Sequence, residues 1–324
     1  MPIDIKELVR SGTRLREERE KQVHLVVAIE PDAPDALIDA LRTHLRPVTA
    51  GARVTVEVVE DHASHPLAGA DALIAVAGGA SAPLRQALDA AAYGRIPRVV
   101  VALGGGAAID HLADALGQPL ADILVSDDAM DVVGDRLARW LADEISSKRI
   151  AMAHNFVFMR RAVAEEAVRV TAWQNALVGT VAVIPGADMP LMTANQAKML
   201  LQIAAAYGEP LGTERLKDLA AVVGAGFAFR TVARQVVGLV PVLGWAVKGS
   251  FAYGGTVAMG KAAIAYFEQG ADLTHVVDKL KGAARTGAAR LPRREKRVAG
   301  AVQQSLPEQS GQAQLPGIGE SPGE

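Results

Sequence analysis

Short runs rich in Val, Ile and Leu recur along the first half of the chain. They cover residues 23–29, 54–59, 72–77, 98–103 and 122–125. In three of them, LVVAI, ALIAVA and RVVVAL, apolar residues follow one another without alternation, which is typical of parallel strands that are buried on both faces. The pattern therefore predicts five strands, most of them interior to a parallel sheet.

The segments between these runs carry apolar residues at helical spacing. They cover residues 34–45, 82–93, 107–116 and 127–146, and the pair Asp127 and Asp128 is suited to the cap and first turn of the last one. Strands that alternate with helices predict an α/β domain with a doubly wound, mostly parallel sheet. Ligands of such sheets bind beyond the carboxyl ends of the strands, where this sequence places residues 30–32, 78–81 and 104–106.

The pattern changes after a charged hinge at residues 146–149. From about residue 151 no strand pattern remains, and Ala, Gly and Val fill helical stretches that Pro and Gly separate. The predicted helices cover 154–184 and 189–207, one that opens at Thr213, and one from the LVPVLGW break to about residue 270. The predicted organisation is an N-terminal helix at 1–21, the α/β domain at 22–149, an all-α Gly/Ala-rich domain at 150–275, and a basic segment with a disordered tail at 276–324.

The order of elements over about 22–145 resembles the G domain of small GTPases, but the nucleotide motifs of that family are missing. A phosphate loop reads GxxxxGK[ST], whereas this chain has EPDAPDA after its first strand. The acids there repel a triphosphate, and Pro31 and Pro34 lack the amide donors that phosphate binding needs. LGGG replaces the base-reading motif after the fourth strand. The domain is therefore predicted to be a degenerate, G-domain-like fold without a nucleotide cofactor.

Two glycine runs remain at the predicted carboxyl edge, in VAGGAS and LGGG. Each precedes a helix, so each can offer amide groups to an anion. The alternative is that the glycines only permit tight turns between strand and helix, and the absence of GxGxxG spacing favours that alternative.

A resemblance to a known family rests on the second half, over about 164–270. The runs NALVGTVAVIPGADMPLMTANQAKMLLQIAAAYG and GAGFAFRTVARQVVGLVPVLGWAVKGSFAYGGTVAMGKAAIAYFEQG resemble the bacterial YcjF-type domain, called domain of unknown function 697. The matching positions are Pro185, Asp188, Gln196, Met199, Tyr207, Gly208, Gly224, Gly226, Arg230, Pro241, Gly244, Thr256 and Gly260. The resemblance implies a helical domain that is often fused to GTPases or found in inner-membrane proteins, and it implies no chemistry.

Four polar residues within the apolar half are candidate functional positions: Asp188, Gln196, Arg230 and Arg234. They either line a ligand or partner site, or serve the structure as a helix cap, a helix–helix hydrogen bond and a solvated or headgroup-facing stripe. Small residues four apart suit close helix packing in a membrane or in a soluble bundle. Interfacial membrane contact is favoured, because the uncharged stretch 170–187 contains Gln174 and Asn175 and breaks at Pro185, while charges interrupt the later apolar stretches.

Composition narrows the possible chemistry. The chain has no cysteine, which excludes disulfides and thiolate sites and fits a reducing, cytoplasmic compartment. No HExxH motif occurs, and the GxSxG spacing occurs once, as GESPG at residues 319–323 in the predicted tail, away from any predicted strand, so no catalytic or metal residues are assigned. The net charge of -2 gives no general attraction to nucleic acid, although residues 279–297 carry eight basic residues and one acidic residue.

The leading hypothesis is a non-catalytic scaffold or regulator with a pseudo-GTPase-like domain, at the inner face of the cell membrane. Its expected partners are the membrane surface and a protein, for which a true GTPase is plausible, and no nucleic acid. One alternative is an enzyme or sensor that binds a nucleotide or another anionic small molecule at the carboxyl edge of the sheet. A further alternative is a soluble interaction module.

Overall fold

A five-stranded parallel sheet forms the centre of the first half. The structure, a computed structural model, describes residues 5–60, 67–117, 121–181, 189–209 and 244–269. The strands are β1 Val23–Ile29, β2 Ala52–Val58, β3 Ala72–Val76, β4 Arg98–Leu103 and β5 Asp122–Ser126. They lie in the order β2-β1-β3-β4-β5, which is a common doubly wound order. The predicted fold class, an α/β domain followed by an all-α helical region, is confirmed.

Helices cover both faces of this sheet. They are α1 Ile5–Arg19, α2 Asp35–His44, α3 Ala82–Tyr93, α4 Gly106–Leu116 and α5 Leu137–Glu144. The predicted helix over 127–146 is present, but a π-helical turn at Asp131–Arg136 precedes α5. The Asp128 carboxylate accepts a hydrogen bond from the Met130 N–H at 2.9 Å, so it acts at the start of this segment as expected.

The described parts of the second half consist of helices joined by short non-helical segments. Its helices are α6 Arg149–Asn155, α7 Met159–Val181, α8 Met189–Ala206 and α9 Gly244–Gln269. The prediction of one continuous helix over 154–184 was wrong, because the chain is extended at Phe156, whose φ and ψ are -125° and 115°. The Asn155 carbonyl accepts a hydrogen bond from the Val48 N–H at 2.8 Å, and the Phe156 side chain is completely buried. The helix predicted to open at Thr213 lies outside the described residues.

One hydrophobic core joins the sheet to the helical half. The sheet face formed by residues such as Leu25, Ile74 and Val101 packs with α2 and α5, and the same cluster includes α6 and the start of α7. From α8 it includes Leu201, Ala205 and Ala206. The opposite sheet face packs separately against α3 and α4. The helical half therefore supplies part of the cover of one sheet face.

A smaller core lies among α7, α8 and α9. It consists of Ala164, Val168, Met199, Leu200, Ile203, Met259, Ala263 and Ile264. At its tightest point, a Cβ atom added to Gly260 would lie 2.2 Å from Val168 Cγ2. Only glycine therefore permits this approach of α9 to α7. Among the described residues, no helix is both long enough and apolar enough to cross a membrane.

Polar groups tie the amino edge of the sheet to the segment before α6. The Lys148 ammonium lies 2.6 Å from Asp71 Oδ1 and also donates a hydrogen bond to the Gln22 carbonyl. Asp71 Oδ2 accepts a hydrogen bond from the His24 N–H. Burial is the main cause that lowers the pKa of the His24 imidazole, and the charge of Arg53 lowers that pKa further. These contacts hold the start of the helical half against the sheet.

Candidate functional site

The carboxyl edge between β1 and β3 is the ligand position that the strand order dictates. Connections leave β1 and β3 in opposite directions along the sheet, which opens a crevice between them. Glu30 follows β1 directly, and the GGAS run at residues 78–81 follows β3 and precedes α3. The fold therefore brings an acidic side chain and a glycine-rich turn to the same point.

The Glu30 carboxylate is bound by the backbone amides of that turn. Its Oε2 accepts hydrogen bonds from the N–H groups of Gly78, Gly79 and Ala80 at 2.7, 3.0 and 3.0 Å. Its Oε1 accepts a further hydrogen bond from the Ser81 N–H. Ala80 has a φ of +59°, so successive N–H groups converge on one point as in an anion-binding nest. The nest is filled by a carboxylate of the same chain.

The neighbouring backbone explains why the turn contains glycine. A Cβ atom added to Gly78 would lie 2.5 Å from the Asp32 carbonyl oxygen, and one added to Gly79 would lie 2.9 Å from Asp32 Oδ2. The Glu30 N–H donates a hydrogen bond to the Val76 carbonyl at 3.1 Å, which fixes the backbone that carries the carboxylate. The loop after β1 is thus packed directly onto the turn after β3.

Glu30 is 1% exposed, yet its environment favours the charged form. Burial by itself raises the pKa of its carboxyl group. Hydrogen bonds from Ser81 and from the backbone amides of Gly78 and Ala80 outweigh burial, so the pKa of Glu30 lies below its ordinary value of 4.5. The site therefore holds a permanent negative charge at neutral pH.

A second part of the carboxyl edge is open but also acidic. Gly104 has a φ of +133°, and no side chain caps the α4 N-terminus that follows it. Nearby, a surface cleft of about 530 Å³ lies between α2 and the segment after β5. Its polar lining includes the carboxyl groups of Asp39, Asp127 and Asp128. Asp39 is paired with Arg42 at 3.0 Å, so Asp127 and Asp128 are the acids that disfavour an anionic ligand in this cleft.

Gln196 lies in a buried polar cluster between α7, α8 and α9. Gln196 is 4% exposed, and its Nε2 donates a hydrogen bond to Thr256 Oγ1 at 3.3 Å. Asn175 Nδ2 donates to the same oxygen at 3.0 Å, while Asn195 Nδ2 donates to Asn175 Oδ1 at 3.0 Å. The Thr256 hydroxyl in turn donates to the Ala252 carbonyl at 2.8 Å. These bonds connect three helices inside an apolar core.

The other three candidate residues, Asp188, Arg230 and Arg234, lie outside the described residues, as does the basic segment at 279–297. Within the described parts of the chain, no group of three or more His, Cys, Asp or Glu side chains is arranged to hold a metal ion.

The region that contains the polar cluster can be compared with known families. Residues 146–291 match the family model described as domain of unknown function DUF697. The resemblance over 164–270 lies within this match and is confirmed. The DUF697 region begins just before α6, so it includes helices that supply part of the cover of one face of the sheet. No curated protein matches the chain.

Two features of the site were missed by reasoning from sequence. The sequence showed Glu30 only as part of an acidic segment. If β1 and β3 are assumed to be neighbours in the sheet, an acid directly after β1 and a GGAS turn after β3 predict this contact. In the DUF697 region, the Thr256 hydroxyl joins Gln196 and Asn175, which lie 60 and 81 residues before it in the chain. No short-range pattern carries that information.

Proposed function

We propose that the protein is a non-catalytic scaffold or regulator with a pseudo-GTPase-like α/β domain, associated with the cytoplasmic face of a membrane. The observation that carries the non-catalytic part is the Glu30 carboxylate bound by the amides of residues 78–81. A phosphate group needs the same kind of converging donors. Here those donors are occupied, and an added phosphate meets a fixed negative charge.

The distribution of lysine supports the same conclusion. A phosphate loop uses a lysine that reaches the β- and γ-phosphates. Residues 22–149 contain a single lysine, Lys148. Its ammonium group is bound at the amino edge of the sheet by Asp71 and the Gln22 carbonyl. In the described residues, the crevice between β1 and β3 therefore offers a triphosphate neither unoccupied amides of the 78–81 turn nor a lysine.

Membrane association is supported by the DUF697 region and by the basic segment that lies partly within it. The eight basic residues and one acidic residue at 279–297 suit an anionic lipid surface. Aromatic residues are absent from this segment, which disfavours single-stranded nucleic acid as its ligand. The proposed partner is therefore an acidic membrane surface.

The full chain should not bind GTP or ATP tightly. Titration of the protein into fluorescent analogues of both nucleotides, with magnesium present, should show no saturable binding in the low-micromolar range. The physical reason is the filled nest and the missing lysine. Saturable binding that unlabelled nucleotide competes away would overturn the pseudo-GTPase proposal and support the enzyme or sensor alternative.

The full chain should float with anionic liposomes, and salt should weaken the interaction, because the Debye length is only about 8 Å at physiological ionic strength. A variant with Arg293, Arg294, Lys296 and Arg297 all changed to Gln should partition several hundredfold less, since each charge contributes about 1 kcal/mol near such a surface and every ~1.4 kcal/mol is a factor of about ten.

The matched control changes Arg14, Arg42, Arg46 and Arg85 to Gln, all exposed in the α/β half. It alters the net charge equally and should float like the wild type. If the full chain floats with neither anionic nor neutral liposomes and is monodisperse without detergent, membrane association is refuted. The soluble interaction module is then the alternative that stands.

A further inference from the structure

The strand β2 lies at one edge of the sheet in the part of the chain that the structure describes. It pairs with β1 alone among the strands that the structure describes. Val56 and Val58 are 59% and 53% exposed there. Exposed edge strands with β-branched apolar residues are templates for pairing with another chain.

The hydrogen bonds to β1 show which backbone groups of β2 point outward. The Gly51 carbonyl accepts from Val23, and the Val59 N–H donates to Ile29. Backbone groups of successive residues in a strand point to opposite sides, so the odd-numbered residues from 51 to 59 face β1. Ala52, Val54, Val56 and Val58 therefore direct their N–H and C=O groups to the free edge.

The side chains of β2 have a self-complementary order. Arg53 and Glu57 lie two residues before and two residues after Thr55. When two copies of such a strand pair antiparallel about a two-fold axis at Thr55, each Arg53 lies opposite Glu57 of the other copy. Opposite charges in directly facing positions stabilise a strand pair, and like charges destabilise it.

We infer that the protein forms a two-fold dimer in which β2 pairs antiparallel with β2 of a second copy, centred on Thr55. In this register the outward-facing residues form the hydrogen-bonded pairs, which join Val54 to Val56 and Ala52 to Val58 of the other copy. Arg53–Glu57 and Thr55–Thr55 are the non-hydrogen-bonded pairs, in which side chains approach most closely. The sheet then continues across both copies.

Charge selects this register over its neighbours. A two-fold axis at Arg53 or at Glu57 keeps the same outward-facing groups in the ladder, but it places two like charges directly opposite each other. Axes at Val54 or Val56 bring neither charge opposite its complement. Only the axis at Thr55 forms both ion pairs, and an isologous interface of this kind closes as a dimer.

The dimer also covers the apolar part of the edge. Val54 and Val56 face each other across the interface in both halves, and Val58 faces Ala52 of the second copy. These contacts are the cross-strand pairs that stabilise sheets. The exposed valines therefore acquire partners through the same register that pairs the charges.

Disulfide trapping in the full chain tests this register, because the natural chain contains no cysteine. In a Thr55→Cys variant the two Cys residues would have Cα atoms about 4.5 Å apart, which permits a disulfide. Val58→Cys is the matched control, because its two Cys residues would be offset by six residues along the paired strands, a distance of about 20 Å. Val58 is 53% exposed, so random collision favours the control.

Mild oxidation should cross-link Thr55→Cys at least about tenfold faster than Val58→Cys, because pairing gives its thiols a high effective concentration. Equal or slower cross-linking of Thr55→Cys would overturn the inference. Thr55 Oγ1 also contacts His24 Nε2 at 2.9 Å, so circular dichroism should accompany the assay.

Charge reversal supplies a second test that does not involve Thr55. Arg53→Glu or Glu57→Arg alone places like charges opposite each other at two positions, so sedimentation equilibrium should show at least about tenfold weaker dimerisation. The double variant restores both ion pairs in reversed order and should restore the dimer. A wild type that stays monomeric at all concentrations, or a double variant no better than the singles, would refute the proposed interface.

Discussion

Replacing Glu30 with alanine should lower the free energy of unfolding by at least about 3 kcal/mol, because four backbone amides lose a charged acceptor in a buried position. The matched control is Glu60→Ala, which removes an exposed carboxylate shortly after β2 at the same edge of the sheet. That change should stay within about 0.5 kcal/mol of the wild type. Urea unfolding of the three proteins provides the comparison.

The empty nest of the Glu30→Ala protein should then accept an external anion. Inorganic phosphate should raise the unfolding temperature of this variant and leave the wild type and the Glu60→Ala protein unchanged, apart from general salt effects, because ligand that binds the native state stabilises it. If Glu30→Ala is as stable as Glu60→Ala, or if phosphate does not raise its unfolding temperature, the Glu30 carboxylate does not take the place of a bound anion.

The contribution of Glu30 should also depend on pH with a definite sign. Its pKa is lowered in the folded protein, so the unfolded chain binds the proton more readily. The stabilisation is therefore complete above the ordinary pKa of 4.5 and is lost as pH falls through the lower, folded value. The difference in stability between wild type and Glu30→Gln should shrink over that acidic window.

Replacing Gly260 with alanine should destabilise the protein by about 2 kcal/mol or more. The new methyl group would lie 2.2 Å from Val168 Cγ2 and 3.0 Å from Val168 Cβ, so α7 and α9 must separate. Gly255→Ala is the matched control, because nothing lies within 4 Å of the added methyl group on the same helix. The control should be stabilised by up to about 1 kcal/mol through helix propensity.

A second-site change tests the cause of the Gly260 effect. Val168→Ala removes the two methyl groups nearest to the added atom, so the double variant should be more stable than the sum of the two single effects. Thermal unfolding followed by circular dichroism measures each variant. If Gly260→Ala and Gly255→Ala behave alike, the helices are not in close contact at this point.

The central strands could be predicted from sequence because strands buried on both faces consist almost entirely of apolar residues. β1 is apolar except for His24 and β4 except for Arg98, and their observed bounds equal the predicted ones. The break between α6 and α7 could not be predicted in this way. No Pro or Gly near Phe156 signals a break in the sequence. The helix ends there because the N–H of Val48, which is distant in sequence, donates a hydrogen bond to the Asn155 carbonyl.

The site shows the same division between local and distant information. The absence of phosphate-loop residues is visible in EPDAPDA, so the loss of nucleotide chemistry could be predicted. That Glu30 enters the amides after β3 depends on the adjacency of β1 and β3, which is a property of the topology. The role of Glu30 therefore became evident only when the structure showed that its partners are the amides of residues 78–81.

The core that extends from the sheet to α8 determines whether the α/β half can be separated from the helical half. Leu201, Ala205 and Ala206 close over the same apolar surface as α2 and α5. A fragment cut at the hinge would expose that surface to water, at a cost that scales with its apolar area. The α/β half therefore depends on the helical half for part of its stability, and a cut at residues 146–149 would not separate two self-sufficient folding units.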